Sequence, residues 1–527
     1  MRFYRLIILA FCCTAWLTAA PSISAVYNGA SWAPAGLPNS GVAQGSILTL
    51  TGTGLGPLTL QQVQSYPLPT TSGLGGTTIT VSVGGVTETC IMIYTYTSQV
   101  AAILPSATPI GTGTLTLSYQ GSSSSMSITV LSANFGTFTL NEAGSGPGVL
   151  TDTNYKPITY INTAHPGDTL ILWGTGLGAI VGDETNPPAE VDLGTGVQVL
   201  VGSKPATVLY GGRSSSPGLD QINFVVPSGV TGCKVSITVL VKGVTGNVAT
   251  TSIGLAGQSV CSEAYAPAVT EILQKAVASG AVTFGTIQMS RIGTQSDSLT
   301  GQFGTYPLNS LIRSNGGTFG PSIGSCISYE TAGTTITITD PIQPTFVDAG
   351  ADLIVNGPGG ASQTVPATST GNYQATLGAA IAPGNFGVRN GTGGSAISAF
   401  SWSLTLPALA TPANIPASVN RSQDLTLTWT GGSAYSVVTI FLYSGVPEGS
   451  SDSFATVLCD ADPASGTFTI PAAVLNLLPP KGYGAFGKLG VDIQIAGVAV
   501  ATYTASSGFD VGALSMFATS GAIATIQ

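Results

Sequence analysis

One segment of this 527-residue chain occurs twice, and that duplication constrains the fold more than any other feature. Gln44–Pro57, QGSILTLTGTGLGP, aligns with Pro166–Ala179, PGDTLILWGTGLGA, at an offset of 122 residues. Ser98–Pro105 aligns with Asp220–Pro227 at the same offset. Each copy consists of short runs of alternating apolar and polar residues broken by Gly and Pro. This pattern is typical of an antiparallel β-sandwich.

The repeated GTGLG motif, Gly52–Gly56 and Gly174–Gly178, raises the question of a phosphate-binding loop. A dinucleotide fingerprint has the spacing G-x-G-x-x-G and opens a helix inside a βαβ unit. Here the spacing is G-x-G-x-G, Pro57 follows the first copy, and neither continuation has helical periodicity. We therefore predict a turn at the end of a strand, where glycine tolerates positive φ, and no nucleotide.

Several further motifs carry a family resemblance. They are VGSKPATVLYGG, GLDQINFVVPSGV, GCKVSITVLVKG and GQSVCSE, followed by FVDAGADLIVNGPGG, SVNRSQDLTLTWTGG and GTFTIPAAVLNLLP. Together with GTGLG, this set resembles secreted proteins abundant in Acidobacteria, whose modules are similar to the immunoglobulin-like TIG (IPT) sandwich. The resemblance implies an all-β fold of tandem immunoglobulin-like β-sandwich modules and export, and it implies no catalytic residue.

The domain organisation depends on where the repeat stops. Residues 21–131 and 132–256 are expected to form the two related sandwiches. A β-rich unit with an N-terminal helix is expected over 257–407, and another immunoglobulin-like sandwich over 408–527. The helix is predicted at Ala266–Gly280, with Pro in its first turn and Gly at its end.

Other secondary structure in the C-terminal half is predicted from apolar patterns. A second, short helix is expected at Pro471–Leu478, which gives one or two short helices in that half. Strands are expected at Val282–Ile292, Thr334–Thr339, Ala351–Val355 and Ala399–Leu406, and in DLTLTW, VVTIFLY and GVDIQIAGVAVATY.

Charge excludes two classes of partner. Charged residues make up 7% of the chain, which holds only 14 Lys and Arg and has a net charge of -9. Nucleic acids and anionic membranes are bound by clustered Lys and Arg, so neither is an expected partner. We expect an extracellular glycan or a protein as partner, and no cofactor.

The N-terminus is typical of an export signal over residues 1–20. Two arginines precede the apolar segment Leu6–Leu17, and small residues follow up to Ala20. The apolar run is shorter than the roughly 20 residues that span a bilayer, which disfavours an uncleaved anchor. Phe11 before Cys12 disfavours a lipoprotein signal. The mature chain is expected to lack a membrane span and to be secreted or held at the cell surface.

Five cysteines remain after the signal, an odd number for an oxidising compartment. Cys233 and Cys261 flank the end of the second module, so a bridge there would join the module to the next part of the chain. Cys90 aligns with Val208, an inward position, and is expected to be a buried free thiol. Cys326 and Cys459 then remain as a second pair, although sequence alone leaves the connectivity open.

Residues that could carry chemistry are few. The single histidine, His165, matches Ala43 in the first copy, so no role is expected for it. The loop GDETNPPAEVD offers the only calcium candidates, and a plain solvated loop is the alternative. The candidate ligands are Asp183, Glu184, Glu190 and Asp192.

A binding surface is the other possibility. Gln221 recurs as Gln99 and is expected to hydrogen-bond backbone within the sandwich, whereas Asn223 becomes Ala101. Aromatic residues could form a carbohydrate platform or pack in cores. Those considered are Trp32, Tyr94, Tyr96 and Tyr210.

Two functions remain at this stage. The first is a non-enzymatic secreted or cell-surface protein engaged in adhesion, matrix or glycan contact. The alternative is a secreted hydrolase of the glycoside type, with paired carboxylates in the C-terminal half. The acidic residues considered for it are Asp348, Asp352, Asp460 and Asp462.

Overall fold

The computed structural model describes residues 20–292, 297–313, 320–332, 344–378, 381–447, 452–484, 488–504 and 508–527. The fold is all-β with tandem immunoglobulin-like sandwiches, as the sequence predicts, and within the described ranges the short helices lie in the C-terminal half. Among these residues no helix is long and apolar enough to cross a membrane. The proposed signal, 1–20, lies outside them except for Ala20.

The first sandwich consists of two five-stranded sheets. One has the order β1-β3-β8-β7-β4 and the other β2-β10-β9-β5-β6. Successive residues of a strand point to opposite faces of the sheet, so alternate residues form the core. In β5 every second residue, from Thr77 to Val83, is buried. The strands are β1 Ser22–Asn28, β2 Val42–Ala43, β3 Ile47–Thr53, β4 Gln61–Gln62, β5 Thr77–Val83, β6 Val86–Thr89, β7 Ile91–Thr95, β8 Gln99–Ile103, β9 Gly111–Tyr119 and β10 Ser122–Leu131.

The second sandwich repeats this arrangement. Its sheets have the orders β11-β14-β19-β18-β15, with β13 also on β14, and β12-β22-β20-β16-β17, with β21 also on β20. The strands are β11 Gly136–Thr137, β12 Gly146–Pro147, β13 Leu150–Asp152, β14 Thr169–Thr175, β15 Val191–Asp192, β16 Val197–Val201, β17 Lys204–Pro205, β18 Thr207–Arg213, β19 Asp220–Val225, β20 Gly232–Val241, β21 Val244–Thr245 and β22 Ala249–Ile253.

Register corrects one detail of the sequence alignment. Met92 pairs with Ala102, and Val208 pairs with Phe224, two positions that match at the offset of 122. Met92 is therefore the counterpart of Val208, and Cys90 lies two residues earlier. A β-bulge follows in both copies, between Met92 and Tyr94 and between Val208 and Tyr210. The sequence alignment missed the two-residue shift because both positions face inward.

The GTGLG motif forms a turn at the end of β3 and of β14, and no helix follows either copy. Gly54 has φ of 64°, and Gly176 has φ of 111°. A Cβ on Gly176 would lie 2.0 Å from the carbonyl oxygen of Asn134. Both the backbone conformation and the close approach of a neighbouring segment therefore require glycine here.

The remaining strands form one large sheet and a three-stranded sheet, β32-β34-β37. The large sheet has the order β25-β36-β35-β38-β39-β23-β24-β29-β28-β27-β30-β31, with β26 on β24 and β33 on β39. The strands are β23 Ala281–Arg291, β24 Ser298–Pro307, β25 Ser325–Ala332, β26 Thr345–Phe346, β27 Asp352–Asn356, β28 Ser362–Ser369, β29 Asn372–Thr376, β30 Gly384–Arg389, β31 Ser401–Leu406, β32 Thr411–Pro412, β33 Ser418–Val419, β34 Leu425–Thr430, β35 Val437–Val446, β36 Ser453–Ala461, β37 Thr467–Ile470, β38 Val491–Thr504 and β39 Val511–Ile526.

Strand pairing crosses the boundary that we placed at residue 407. The last strand, β39, pairs in parallel with β23 and antiparallel with β38. Residues from both sides of that boundary thus share one sheet. The predicted strand at Thr334–Thr339 lies outside the described residues.

Three α-helices occur in the described residues: α1 Pro267–Ser279, α2 Leu308–Leu311 and α3 Ala472–Leu475. The predicted long helix is confirmed, and Gly280 ends it in a left-handed conformation. The buried side of this helix includes the small residues Ala268 and Ala276, whereas the apolar Val277 is 47% exposed. The second predicted helix is a single turn, α3, because hydrogen bonding beyond it is irregular.

Two disulfides are present, Cys233–Cys261 and Cys326–Cys459. The first ties β20 to the segment that leads into α1. The second joins β25 to β36 at a directly paired position. Cys90 is a buried free thiol, and burial raises its pKa to about 12.

Candidate functional site

The GTGLG turn of the second sandwich holds an internal carboxylate. The backbone amides of Gly176 and Leu177 each donate to Asp220 Oδ2 at 2.8 Å. Arg213 Nε donates to Asp220 Oδ1 at 2.7 Å, and both side chains are fully buried. The amides that would be needed to bind a phosphate are therefore occupied by the protein's own acid.

The same turn docks the second sandwich against the first. Arg213 Nη2 donates to the carbonyl of Gly178 at 3.1 Å and lies beside Gly45 of the first sandwich. The amide of Ile47 donates to Thr175 Oγ1 at 2.9 Å. The bond from Ile47 to Thr175 is a half-buried polar contact between the two modules, and such a contact fixes an orientation as well as holding the modules together.

The calcium candidates do not converge. Asp183 Oδ1 accepts from the amide and hydroxyl of Thr185, and these bonds lower the pKa of Asp183. Glu184 instead accepts from the amide and the hydroxyl of Ser106 in the first sandwich, at 2.8 and 2.7 Å. In the part of the chain that the structure describes, no group of three or more His, Cys, Asp or Glu side chains could hold a metal ion.

The other two candidates lie near a tyrosine. Glu190 is exposed, and Asp192 accepts from the amide of Gly194 at 2.8 Å in a tight turn. The pKa of Tyr210 is raised by burial, and then by the negative charges of Glu190 and Asp192. Asp183 and Asp192 therefore stabilise turns, and Glu184 contacts the first sandwich. Glu190 lies near Tyr210.

A buried polar cluster joins the second sandwich to the C-terminal part. Glu263 Oε1 accepts from the amide of Cys233 at 3.1 Å, next to Lys234 and Ser322. Asp460 Oδ1 accepts from Thr439 Oγ1 at 2.6 Å, and Asp460 is 1% exposed. Glu263 is 5% exposed, although its segment borders a cavity of 390 Å³.

Both carboxyls in this cluster are poorly solvated. Burial raises the pKa of Glu263 to about 7 and that of Asp460 to about 7, and the negative charge of Glu263 further raises the pKa of Asp460. Glu263 Oε2 and Asp460 Oδ2 have no hydrogen-bond partner among the described residues. Charged forms of both acids therefore cost free energy at this junction.

The remaining residues singled out for chemistry have local structural contacts. His165 Nε2 lies 3.0 Å from the carbonyl of Gln258, and its amide donates to Asp168. Asp348 accepts from the amides of Gly350 and Ser395, which lower its pKa. Asp462 caps a short turn through the amide of Ala464, and Asp352 lies in β27.

The outer face of the sheet β11-β14-β19-β18-β15 brings aromatic rings and amides together. Leu170 and Leu172 of β14 point into the core, so Trp173 points outward, directly opposite Gln221 on β19. The next outward residue of β19, Asn223, pairs with Tyr210 of β18. Tyr155, from the turn after β13, has its ring 6.2 Å from that of Trp173. We call these five side chains, Tyr155, Trp173, Tyr210, Gln221 and Asn223, the aromatic face.

The polar atoms of the aromatic face differ in whether they are hydrogen-bonded. Trp173 Nε1 donates to Thr151 Oγ1 at 3.2 Å, and Tyr210 Oη donates to the carbonyl of Arg213 at 2.9 Å. Among the described residues, the amide groups of Gln221 and Asn223 make no side-chain hydrogen bond. The expectation that Gln221 would bond backbone within the sandwich is therefore wrong, because its side chain lies on the outer face.

One end of the equivalent face of the first sandwich is closed. Ile47, Ile91 and Ile103 point outward there and form a small second core with Val63 and Leu68, which lie between β4 and β5. Leu209 is an outward residue of β18 in the second sandwich, and it is 58% exposed. The two copies therefore share strands, but the first covers this end of the face with its own residues and the second leaves it open.

Sequence reasoning found only part of the aromatic face. Tyr210 lies on it, but Trp32 stacks with Tyr27 of the first sandwich, with ring centroids 5.4 Å apart. Trp173 and Tyr155 were missed. The signal was available for Trp173, because the repeat aligns this bulky outward residue with Thr51.

Similarity to known proteins is confined to solved structures. No protein-family model and no curated protein matches this sequence. The solved extracellular region of plexin A4 is 16% identical with a TM-score of 0.16, and the match covers 43% of this chain and 17% of that one. This chain thus spans 17% of that structure.

Two further solved structures are similar over most of this chain. The SGBP-B protein of a Bacteroides ovatus mixed-linkage glucan utilization locus, in complex with a heptasaccharide, is 10% identical with a TM-score of 0.15, covering 86% of this chain and 98% of that one. A Ca²⁺-stabilized, ice-binding adhesin of an Antarctic bacterium is 10% identical with a TM-score of 0.12, covering 97% and 99%. At these TM-scores the similarities carry no argument about this chain.

Proposed function

We propose that this chain is an exported, non-enzymatic protein that makes extracellular contacts through β-sandwich modules held in fixed relative positions. The observation that carries the proposal is the set of hydrogen bonds between the two sandwiches, from Ile47 to Thr175 and from Ser106 to Glu184, beside the fully buried Arg213–Asp220 pair of the second. Hydrogen bonds depend on geometry, so they favour one module arrangement over a flexible chain of domains.

Location outside the cytoplasm is part of the same proposal. Disulfides persist in oxidising compartments, and the chain holds two of them in addition to the signal-like segment 1–20. The resemblance to secreted TIG-type proteins and the four-part division at 131, 256 and 407 belong to this proposal as well.

Export is tested by expressing the full chain with a C-terminal tag in a bacterial host and fractionating the cells. We expect a processed protein outside the cytoplasm with one free thiol, Cys90. Retention in the cytoplasm with reduced cysteines would overturn the export part.

The absence of catalysis is tested separately. Purified mature protein is incubated with soluble polysaccharides, and reducing ends are measured over time. We expect no release. Sustained turnover would instead establish the hydrolase alternative, and the acids Asp348, Asp352, Asp460 and Asp462 would then be the first to replace.

A further inference from the structure

We propose that the aromatic face of the second sandwich, formed by Tyr155, Trp173, Tyr210, Gln221 and Asn223, is a binding site for a neutral polysaccharide chain. This inference rests on the proposed function, because it names the ligand class of an extracellular contact protein. It places the contact on one sheet face of one module.

The rings on this face suit the apolar sides of sugar rings. Tyr155 is 66% exposed and lies beside Trp173, which is partly exposed. Tyr210 lies along β18, where Gly212 leaves room for it: a Cβ on Gly212 would be 2.6 Å from Tyr210 Oη. Trp173 and Tyr210 are two strands apart, about 10 Å. Planar rings of this kind offer large apolar contact at low entropic cost.

The amides between the rings supply the polar half of the site. Gln221 and Asn223 lie on the strand between those that carry Trp173 and Tyr210. Gln221 is only 8% exposed, yet neither amide bonds to another group in the described residues. An amide has both donors and acceptors, which matches the hydroxyl groups of a sugar. A few positioned polar groups among aromatic rings are typical of ligand sites.

The backbone at Tyr155 is strained. Its φ is 62°, a left-handed conformation that costs a tyrosine free energy. Asp152 holds the turn by accepting from the amides of Asn154 and Lys156 at 2.8 and 2.9 Å. Strain of this kind on an exposed aromatic residue is a recurrent property of functional sites.

Charge selects the class of ligand. The five side chains include no Asp, Glu, Lys, Arg or His, and the acids Glu190 and Asp192 lie near Tyr210. An anionic polysaccharide would be repelled at that end, so a neutral glycan fits best. The first sandwich gives the contrast, because there one end of the same face is covered by the protein itself and Thr51 occupies the position of Trp173.

The test uses the purified mature chain and a panel of probes. Neutral soluble polysaccharides, namely β-glucans, xylans and mannans, are compared with polygalacturonate and with a Pro-rich peptide by affinity electrophoresis and calorimetry. The main variant, W173T/N223A, installs the residues of the first sandwich, Thr51 and Ala101. Y155A is a second variant at an exposed position, and Y66A is the matched control, since Tyr66 is a 48% exposed tyrosine of the first sandwich.

We expect at least one neutral polysaccharide to bind, with at least a tenfold loss in W173T/N223A and in Y155A and no change in Y66A. Thermal unfolding of each variant shows that it is folded. Unchanged binding in both face variants overturns this site, while the protein remains an extracellular contact protein. Binding only of polygalacturonate or only of the peptide, or of no probe, overturns the ligand class. None of these results depends on export, which the fractionation tests by itself.

Discussion

The first and second sandwiches have the same strand order and the same glycine turn, but they differ in what lies on and behind the repeated elements. In the first, one end of the outer face is covered by Val63 and Leu68, and the turn amide of Leu55 donates to the carbonyl of Thr97 at 2.9 Å. In the second, this end is open, and the turn amides donate to Asp220. The comparison teaches that backbone and core define the module, while outward and turn residues adapt each copy.

The largest effect on stability is expected when Asp220 is replaced by serine. Ser98 is the residue at the equivalent position of the first sandwich. D220S leaves Arg213 buried without its partner, so the free energy of unfolding should fall by about 3–5 kcal/mol. Denaturant unfolding of the mature chain measures this.

Two control variants interpret the result. S98A, at an exposed position of the first sandwich, should change stability by less than about 0.5 kcal/mol. R213M/D220S should recover much of the loss, because no charge then remains buried. A D220S cost as small as that of S98A would show that the pair contributes little to the stability of the second sandwich.

The next contrast concerns cysteine. The second sandwich is bridged to its neighbour by Cys233–Cys261, whereas the first holds the free thiol Cys90. C233S/C261S should lose about 2–4 kcal/mol of unfolding free energy. C90S should cost less than this. A thiol reagent should detect no thiol in the native protein and one after denaturation, and rapid native labelling would contradict the burial of Cys90.

A pH profile compares the junctions of the two sandwiches. Glu263 and Asp460 lie at the junction of the second, and Glu330, which accepts from Asn39 of the first, has its pKa raised by burial to about 7. In the folded protein these acids bind protons that the unfolded chain has released between about pH 4 and pH 7. Stability should therefore fall as pH rises through that window, by about 2 kcal/mol per acid.

Calorimetric melting between pH 4.5 and 8 measures this effect. E263Q should remove the part of this fall in stability that Glu263 causes at the junction of the second sandwich. E330Q should remove the part that Glu330 causes at the junction of the first. Stability that rises from pH 5 to pH 8 would contradict the protonated state of these acids.

The smallest expected effect is at Tyr155. Asparagine tolerates the left-handed conformation better, so Y155N should leave the protein as stable or up to about 1 kcal/mol more stable. W173T serves as the comparison on the same face, without backbone strain. The denaturant midpoints of both variants and of the unchanged protein measure the effect. Destabilisation by Y155N above about 1 kcal/mol would show that the tyrosine ring is needed for folding.

The sequence allowed prediction of what depends on periodicity and backbone. Alternation identified strands such as β34, predicted from DLTLTW, and the glycine pattern excluded a helix after GTGLG. Contacts between distant side chains were not predictable. Nothing near Asp220 in sequence shows that it lies inside the turn of Gly176, and the partner of Glu184 is Ser106 in another module. The aromatic face was recognisable only in part, because a β-bulge and a turn conformation determine where Tyr210 and Tyr155 lie.

The position of β39 has a consequence for biogenesis. This last strand lies between β23 and β38, and the hydrogen bond from Thr283 to Asp510 spans 227 residues. Both sandwiches can collapse on their own local contacts while the rest of the chain is still being synthesised. The sheet beyond them stays incomplete until the final residues have arrived, and this long-range pairing sets the slow step of maturation.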